Sequence, residues 1–287
     1  MKIAMKVTEW EMSTRTGALM FDREFALVDS SGSALRLSMH PKMALIQPSI
    51  NLDMTILTIK GCGFPDLEID LRSNNIHLLT KEVKVCGTSK CGGILWGGHS
   101  ASSWFSSFLG VQCWLARYVW EKHISRKIEG REQMEELSKT NKNRTGFENE
   151  SPILLISQAS VDILNSVMKS QDSRSRVNSK YFRPNFVVDI PCNYASISNP
   201  EDTWSQVIIC RHKLRLSVTG KCARCTMVDI DPTSGTNGGK TLRALAEYRR
   251  CRGQIYFGIF LSSDDEQEEL DRGEIIIKEG ERLIIKY

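Results

Sequence analysis

The chain has 287 residues, 41% hydrophobic and 25% charged, an ordinary globular balance with length enough to bury a sizeable core. A net charge of +4 and an isoelectric point near 8.5, with no basic run interleaved with aromatics, exclude a nucleic-acid protein, and no apolar run reaches the length of a membrane span. Nine scattered cysteines, an odd number, and no secretory opening in "MKIAMKVTEWEM" predict free thiols in a reducing cytoplasm.

The first hundred residues read mostly as strands. "FALVDSSGSALRL" is two apolar runs around a Ser/Gly turn, a hairpin pattern, and "MALIQPSINLDMTILTI" repeats it with Asn51, Leu52 and Asp53 at the turn. "LEIDL" and "KEVKVCG" are two further short strands. Helical spacing first appears in "SASSWFSSFLG", where Trp104, Phe105 and Phe108 share a stripe that Gly110 ends. "CWLARYVW" reads as a strand, and the charged residues 121–149 as an exposed insertion with one short helix near Glu132 to Leu137.

"SPILLISQASVDILNSVM" then reads as a buried strand running into a helix capped by Ser157 or Ser160. "NFVVDI" is a strand, "QVIICRHKLRLSVTG" two strands around a polar turn, and "TMVDI" a strand before the turn "DPTSG". "KTLRALAEYRRC" places Leu242, Leu245 and Tyr248 on one helical stripe, "IYFGIFL" is a strand, and "EIIIKEGERLIIKY" a closing hairpin over Glu279-Gly280. Many antiparallel strand signals with three or four helices predict a β-barrel-rich α+β fold.

The chemistry-bearing stretch is "GKCARCTMVDIDPTSG", with Cys222 and Cys225 around Arg224. Two thiols at this spacing can share a zinc site, exchange disulfides, offer one soft ligand to another metal, or fill space. Structural zinc needs two more ligands, for which the nearest pair is Cys86 and Cys91, at an unusual spacing. A redox pair belongs at a helix start, whereas a strand is expected here. The bland alternative is a pair of small buried hydrophobes. "YFRPNFVVDI" sets Arg183 and Asn185 around a rigid Pro184, a planar fork suited to an oxyanion, and "MFDREF" places Arg23 beside Asp22 at a strand start. For each arginine the alternative is a surface ion pair.

The order of "GALMFDREFALVD", "HPKMALIQP", "NESPILLIS", "FRPNFVV", "EDTW" and "CARCTMVDIDPTSG" resembles the MOSC family and, within it, the carboxy-terminal part of the eukaryotic molybdenum cofactor sulfurases. The resemblance spans about Ala4 to Phe260. It implies a β-rich MOSC amino-terminal domain over residues 1–115 and a MOSC barrel over 116–287, with the molybdenum–pterin cofactor as ligand. It also implies roles: Cys225 as the molybdenum ligand and catalytic residue, Arg183, Arg23 and Arg224 as clamps for the cofactor's anionic end, and Asn185 and Ser151 as hydrogen-bond partners. Cys222 is expected to be a packed neighbour. Physical chemistry agrees, since thiolate suits a sulfur-rich metal centre and planar arginines suit a phosphate.

The activity so implied is to hold the cofactor while a terminal oxo ligand is exchanged for sulfido. A cysteine desulfurase domain would donate the sulfur, and xanthine dehydrogenase and aldehyde oxidase would receive the product. Nothing in these residues resembles the pyridoxal-phosphate half of such sulfurases, so no pyridoxal-phosphate site is expected here. The family's opening strand, ending in Lys-Ser-Cys, has no match in the three residues before Ala4. Two other readings stay open: a molybdenum reductase of N-hydroxylated compounds, and a non-catalytic remnant.

Overall fold

The structure, a computed structural model, describes residues 7–13, 17–72, 80–84, 90–118, 147, 151–171, 176–190, 198–263 and 275–287. The charged stretch 121–149, apart from Phe147, and Cys86 lie outside them. The described residues fall into two compact units: those of Phe21–Asn149 form one, and those of Lys6–Met20 with Glu150–Tyr287 the other. Chain order and unit membership therefore differ, because the first strand, β1 (Glu9–Met12), belongs to the second unit.

The first unit carries β2 (Phe25–Val28), β3 (Gln47–Ile50), β4 (Ile56–Lys60), β5 (Leu67–Asp70), β6 (Thr80–Lys84), β7 (Lys90–Leu95), helix α1 (Gly98–Leu109) and β8 (Trp114–Tyr118). They form two antiparallel sheets, β2-β8-β7-β6 and β3-β4-β5. The predicted turn between β3 and β4 is pinned by Asn51, whose Oδ1 accepts from Thr55 N and Ile56 N, both at 2.8 Å. The stripe on α1 is buried as expected, with Trp104 stacked on Phe108 at 5.2 Å and Phe64 edge-on to both. Gly61 is required beneath it, since a Cβ there would lie 2.6 Å from the Phe108 ring. The helix ends at Gly110, whose φ of 73° suits the left-handed cap.

The hairpin expected after β2 forms only in part. Asp29 closes the turn by accepting from Ser31 N and Ser33 N, but the returning run makes a single bridge, Val28 to Ala34. The returning run turns instead to β6, with Ala34 N donating to the Lys84 carbonyl and Lys84 N to the Gly32 carbonyl, both at 2.9 Å, while β2 pairs on its other edge with β8. Behind that pairing Glu24 accepts a 2.6 Å hydrogen bond from Arg117 Nε, and both side chains are buried. Arg117 also donates to the Leu71 carbonyl, and its guanidinium lies 4.4 Å from the Trp96 ring centroid.

The second unit continues with β9 (Ile153–Ser157), α2 (Gln158–Gln171), β10 (Phe186–Val188), β11 (Gln206–Ile209), β12 (Leu214–Ala223), α3 (Thr241–Arg249), β13 (Arg250–Cys251), β14 (Gln254–Ser263), β15 (Ile275–Lys278) and β16 (Leu283–Lys286). The main sheet runs β10-β9-β14-β12-β11-β16, and β13 pairs with β14. β9 is buried throughout because apolar side chains cover it on both faces. Ile153 and Leu155 join one core with Trp204, Leu216 and Leu261, while Ile156 joins another with Leu164, Phe182, Leu245 and Phe257. α2 is the crossover that lets β10 run parallel to β9. Of the two predicted caps Ser157 is the one used, its Oγ accepting from Ser160 N at 3.0 Å. The carboxylate of Glu201, with no exposed surface, accepts from Ser157 Oγ at 2.6 Å and Ser160 Oγ at 2.7 Å.

Two predicted elements differ. "TMVDI" is not a strand: Thr226–Asp229 is a 3-10 turn, because Asp229 folds back to accept from Leu242 N and so cap α3. The closing strands are not hairpin partners. β15 pairs with β1 and β16 with β11, so the chain changes sheets across Glu279-Gly280. With three α-helices among the described residues and curled antiparallel sheets, the fold class is α+β as read from the sequence. Among the described residues no helix is long and apolar enough to cross a membrane.

Candidate functional site

The cysteine motif leaves the sheet at the end of β12, where two register shifts against β14 mark bulges after Val218 and Lys221. Beyond them the backbone stays extended, with Cys225 at φ −118° and ψ 179°. Cys222 is buried, its Sγ near the Ala223 carbonyl, and Cys225 is exposed. The two thiols are unequal. Among the described residues no group of three or more His, Cys, Asp or Glu could hold a metal ion.

Arg183 is brought to this corner by a 3-10 turn, Ser179–Phe182, which Asn178 caps by accepting from Lys180 N. Arg183 ends that turn in the left-handed region, φ 52° and ψ 51°. That is a strained place for an arginine ahead of Pro184, which biases its neighbour towards extended backbone. Its guanidinium faces the Met227 sulfur at 4.0 Å. Burial, with a smaller repulsion from Arg224, pushes its pKa down to about 10 against the opposing influence of Cys225. Among the described residues no carboxylate pairs with it.

Arg224 is placed differently. Its Nε donates to the Phe257 carbonyl at 2.9 Å and its Nη1 to the Phe182 carbonyl at 3.0 Å. The same guanidinium lies over the Phe182 ring, which stacks on Phe257 at 4.2 Å. Arg224 thus ties the turn that carries Arg183 to β14. Asn185 bonds Leu154 at both backbone groups, its Oδ1 accepting from Leu154 N and its own N donating to Leu154 O. Ser151 is buried, with its Oγ donating to the Leu261 carbonyl at 2.8 Å. Both residues hold the start of β9. Arg23 belongs to the other unit. There it is buried, left-handed at φ 55° and 3.4 Å from the Asp22 carboxylate, the neighbour expected from the sequence. The second unit therefore gathers Cys225, Arg183 and Arg224 at one corner, while Ser151 and Asn185 make the sheet contacts just described.

Sequence reasoning missed three contributors. Met227 is the neighbour of the Arg183 guanidinium. Tyr181 hydrogen-bonds Asp231, and burial together with that carboxylate pushes its phenol up to about 12, which holds the loop after the 3-10 turn against the Arg183 turn. Asp202 grips Arg249 through two bonds of 2.7 and 2.9 Å and Lys221 through one of 3.0 Å, bracing α3 against β12. The "EDTW" motif carried a signal for Asp202 and Glu201, but nothing local named their partners.

The chain matches the family model "MOSC domain" over residues 142–283 and "MOSC N-terminal beta barrel domain" over residues 4–112. It belongs to the MOSC family. Within that family it is similar to proteins named molybdenum cofactor sulfurase. The one from Aspergillus terreus is 33% identical over 87% of this chain and 35% of its own length. Those from Aspergillus fumigatus, at 31% over 97% of this chain and 38% of their own length, and Homo sapiens, at 27% over 90% and 28%, match likewise. The chain thus spans about a third of the length of these relatives.

Proposed function

We propose that this chain is the cofactor-holding module of a molybdenum cofactor sulfurase, binding the molybdenum–pterin group through Cys225 and Arg183. The observation that carries the reading is the corner itself: an exposed thiol beside a guanidinium that the fold desolvates without supplying a carboxylate. A partly desolvated cation of this kind is costly until an anion meets it, and a planar fork beside a soft sulfur ligand fits a metal group with an anionic tail. When bound, that group would supply a molybdenum centre suited to exchange of an oxo ligand for sulfido.

The chain's own residues divide the work. Cys225 presents its sulfur from an extended segment held by the 3.2 Å bond of Val228 N to its carbonyl. Arg183 supplies the anion contact, and its left-handed backbone aims it. Arg224 positions Arg183 through the Phe182 carbonyl and adds positive charge behind it. Ser151 and Asn185 are the remaining cofactor contacts proposed in this unit. The proposed division into a 1–115 amino-terminal domain and a 116–287 MOSC domain follows the same reading, as do cytoplasmic residence, a cysteine desulfurase as sulfur donor, and xanthine dehydrogenase and aldehyde oxidase as recipients.

The test is to purify the chain from cells that make the cofactor and to measure molybdenum and pterin together. Near-equal amounts of both per chain are expected. Absence of both, with the chain folded, overturns the reading.

A further inference from the structure

The acceptor that the fold offers Arg183 is a thioether. Among the described residues the Met227 sulfur, 4.0 Å from Nη1, is the hydrogen-bond partner of that guanidinium. Sulfur of this kind accepts weakly, so a cation that packing has largely stripped of water stays under-satisfied. Two facing turns hold the contact. Met227 lies in the 3-10 turn Thr226–Asp229, where Val228 N donates to the Cys225 carbonyl at 3.2 Å and Ile230 N to the Met227 carbonyl at 3.4 Å. Arg183 ends the turn Ser179–Phe182, its own N donating to the Lys180 carbonyl at 3.3 Å. Met227 is also open to small solutes. It is half-buried and follows the exposed Cys225 and Thr226, whereas Met12, Met43 and Met168 are buried in their cores.

We propose that Met227 is a modification site, oxidised by a hydroperoxide to a sulfoxide whose oxygen occupies the Arg183 guanidinium in place of the cofactor's anionic end. The inference rests on the function proposed above and adds a redox control of the same arginine. In the step, the Met227 sulfur attacks the outer oxygen of R–O–OH. The O–O bond breaks, an S–O bond forms, and the proton of the outer oxygen passes to the departing alkoxide, which leaves as the alcohol, or as water from hydrogen peroxide. Sulfur gives up two electrons and the peroxide gains them. The product is polar where the thioether was not. An oxygen added to a sulfur 4.0 Å from Nη1 closes the gap to ordinary hydrogen-bond range, about 2.7–3.2 Å. A bond from guanidinium to that oxygen is charge-assisted and competes with an incoming anion. Sulfoxide reductases undo the change.

The experiment has two arms. In the first, the cofactor-free chain is treated with hydrogen peroxide and its methionines are mapped by mass. Met39, 71% exposed, marks full access, and Met168, 3% exposed, marks protection. Met227 should oxidise at least about tenfold faster than Met168. Met227→Gln, whose amide oxygen stands in for the sulfoxide, should raise the melting temperature by about 2–4 °C, and the gain should vanish when Arg183→Gln is added. In the second arm the cofactor-loaded chain is treated with peroxide and then with dithiothreitol, which restores reversibly oxidised thiols but leaves a sulfoxide in place. Cofactor affinity of the treated parent should fall on the order of tenfold. A methionine sulfoxide reductase should recover it, and Met227→Leu should lose a far smaller fraction of its pterin on the same treatment. Protection of Met227 equal to that of Met168, the same shift from Met227→Gln with and without Arg183, or equal fractional pterin loss in parent and Met227→Leu overturns the proposal. The first arm needs no bound cofactor, so its outcome is separate from the measurement that tests the function.

Discussion

Arg183→Ala separates function from folding. The parent guanidinium has its pKa pushed from 12.5 down to about 10 by burial, and at 1.36 kcal/mol per unit the charge costs the cofactor-free fold about 3 kcal/mol. Truncation also loses the packing of the arginine stem, about 1–2 kcal/mol. The difference leaves the variant a net gain of about 1–2 kcal/mol. At about 2–4 °C per kcal/mol for a unit of this size, its melting temperature should rise a few degrees. Arg183→Gly should melt a further few degrees higher, because glycine relieves the left-handed strain at φ 52° that alanine keeps. Cofactor retention should move the other way. A lost charge-assisted hydrogen bond of about 1.5–3 kcal/mol weakens binding roughly 10- to 150-fold. The assay is pterin content after gel filtration and a thermal melt on the same preparation. A melting temperature more than about 4 °C below the parent, with pterin content unchanged, would refute the reasoning and make Arg183 a structural residue.

Three further outcomes are expected. Burial raises the pKa of Asp202 but its bonds to Arg249 and Lys221 outweigh that, so its folded value lies below the ordinary one. Its contribution is present above about pH 3.9 and is lost as pH falls through the folded value. Asp202→Asn should therefore cost about 1–3 kcal/mol at pH 7 and progressively less in acid, as melts across that range will report. Ser157→Ala removes the cap of α2 and one donor to buried Glu201, a loss of about 1–2 kcal/mol measured by urea unfolding, while pterin content persists. Arg117→Met leaves the Glu24 carboxylate buried without its cation. It should destabilise the first unit by about 3–5 kcal/mol, read as the lowest transition in a melt.

Local patterns in the sequence were legible where one segment makes its own contacts. The aromatic stripe of α1, the Asn51 turn and the Ser157 cap each depend on residues a few positions apart. "TMVDI" misled because three of its five side chains suit a strand, while the deciding contact, Asp229 to the start of α3, lies thirteen residues on. The closing strands misled because pairing was set by β1 and β11, not by the turn between them. In the site, arginines with oxyanion geometry could be picked out, but not their different surroundings. Arg224 bonds carbonyls from two other elements, and Arg183 is left-handed and desolvated by packing that no local pattern records.

The most direct test of the central claim is metal content in cysteine variants. Parent, Cys222→Ala and Cys225→Ala should be expressed side by side in cells that make the cofactor, and molybdenum and zinc counted per chain. A thiolate lost from a soft metal centre is not replaced by the arginines that hold the anionic tail. Cys225→Ala should therefore lose its molybdenum while keeping residual pterin, and Cys222→Ala, whose thiol is packed inside, should keep most of both. Equal metal loss in the two variants, or stoichiometric zinc in the parent, would contradict the single-thiolate site.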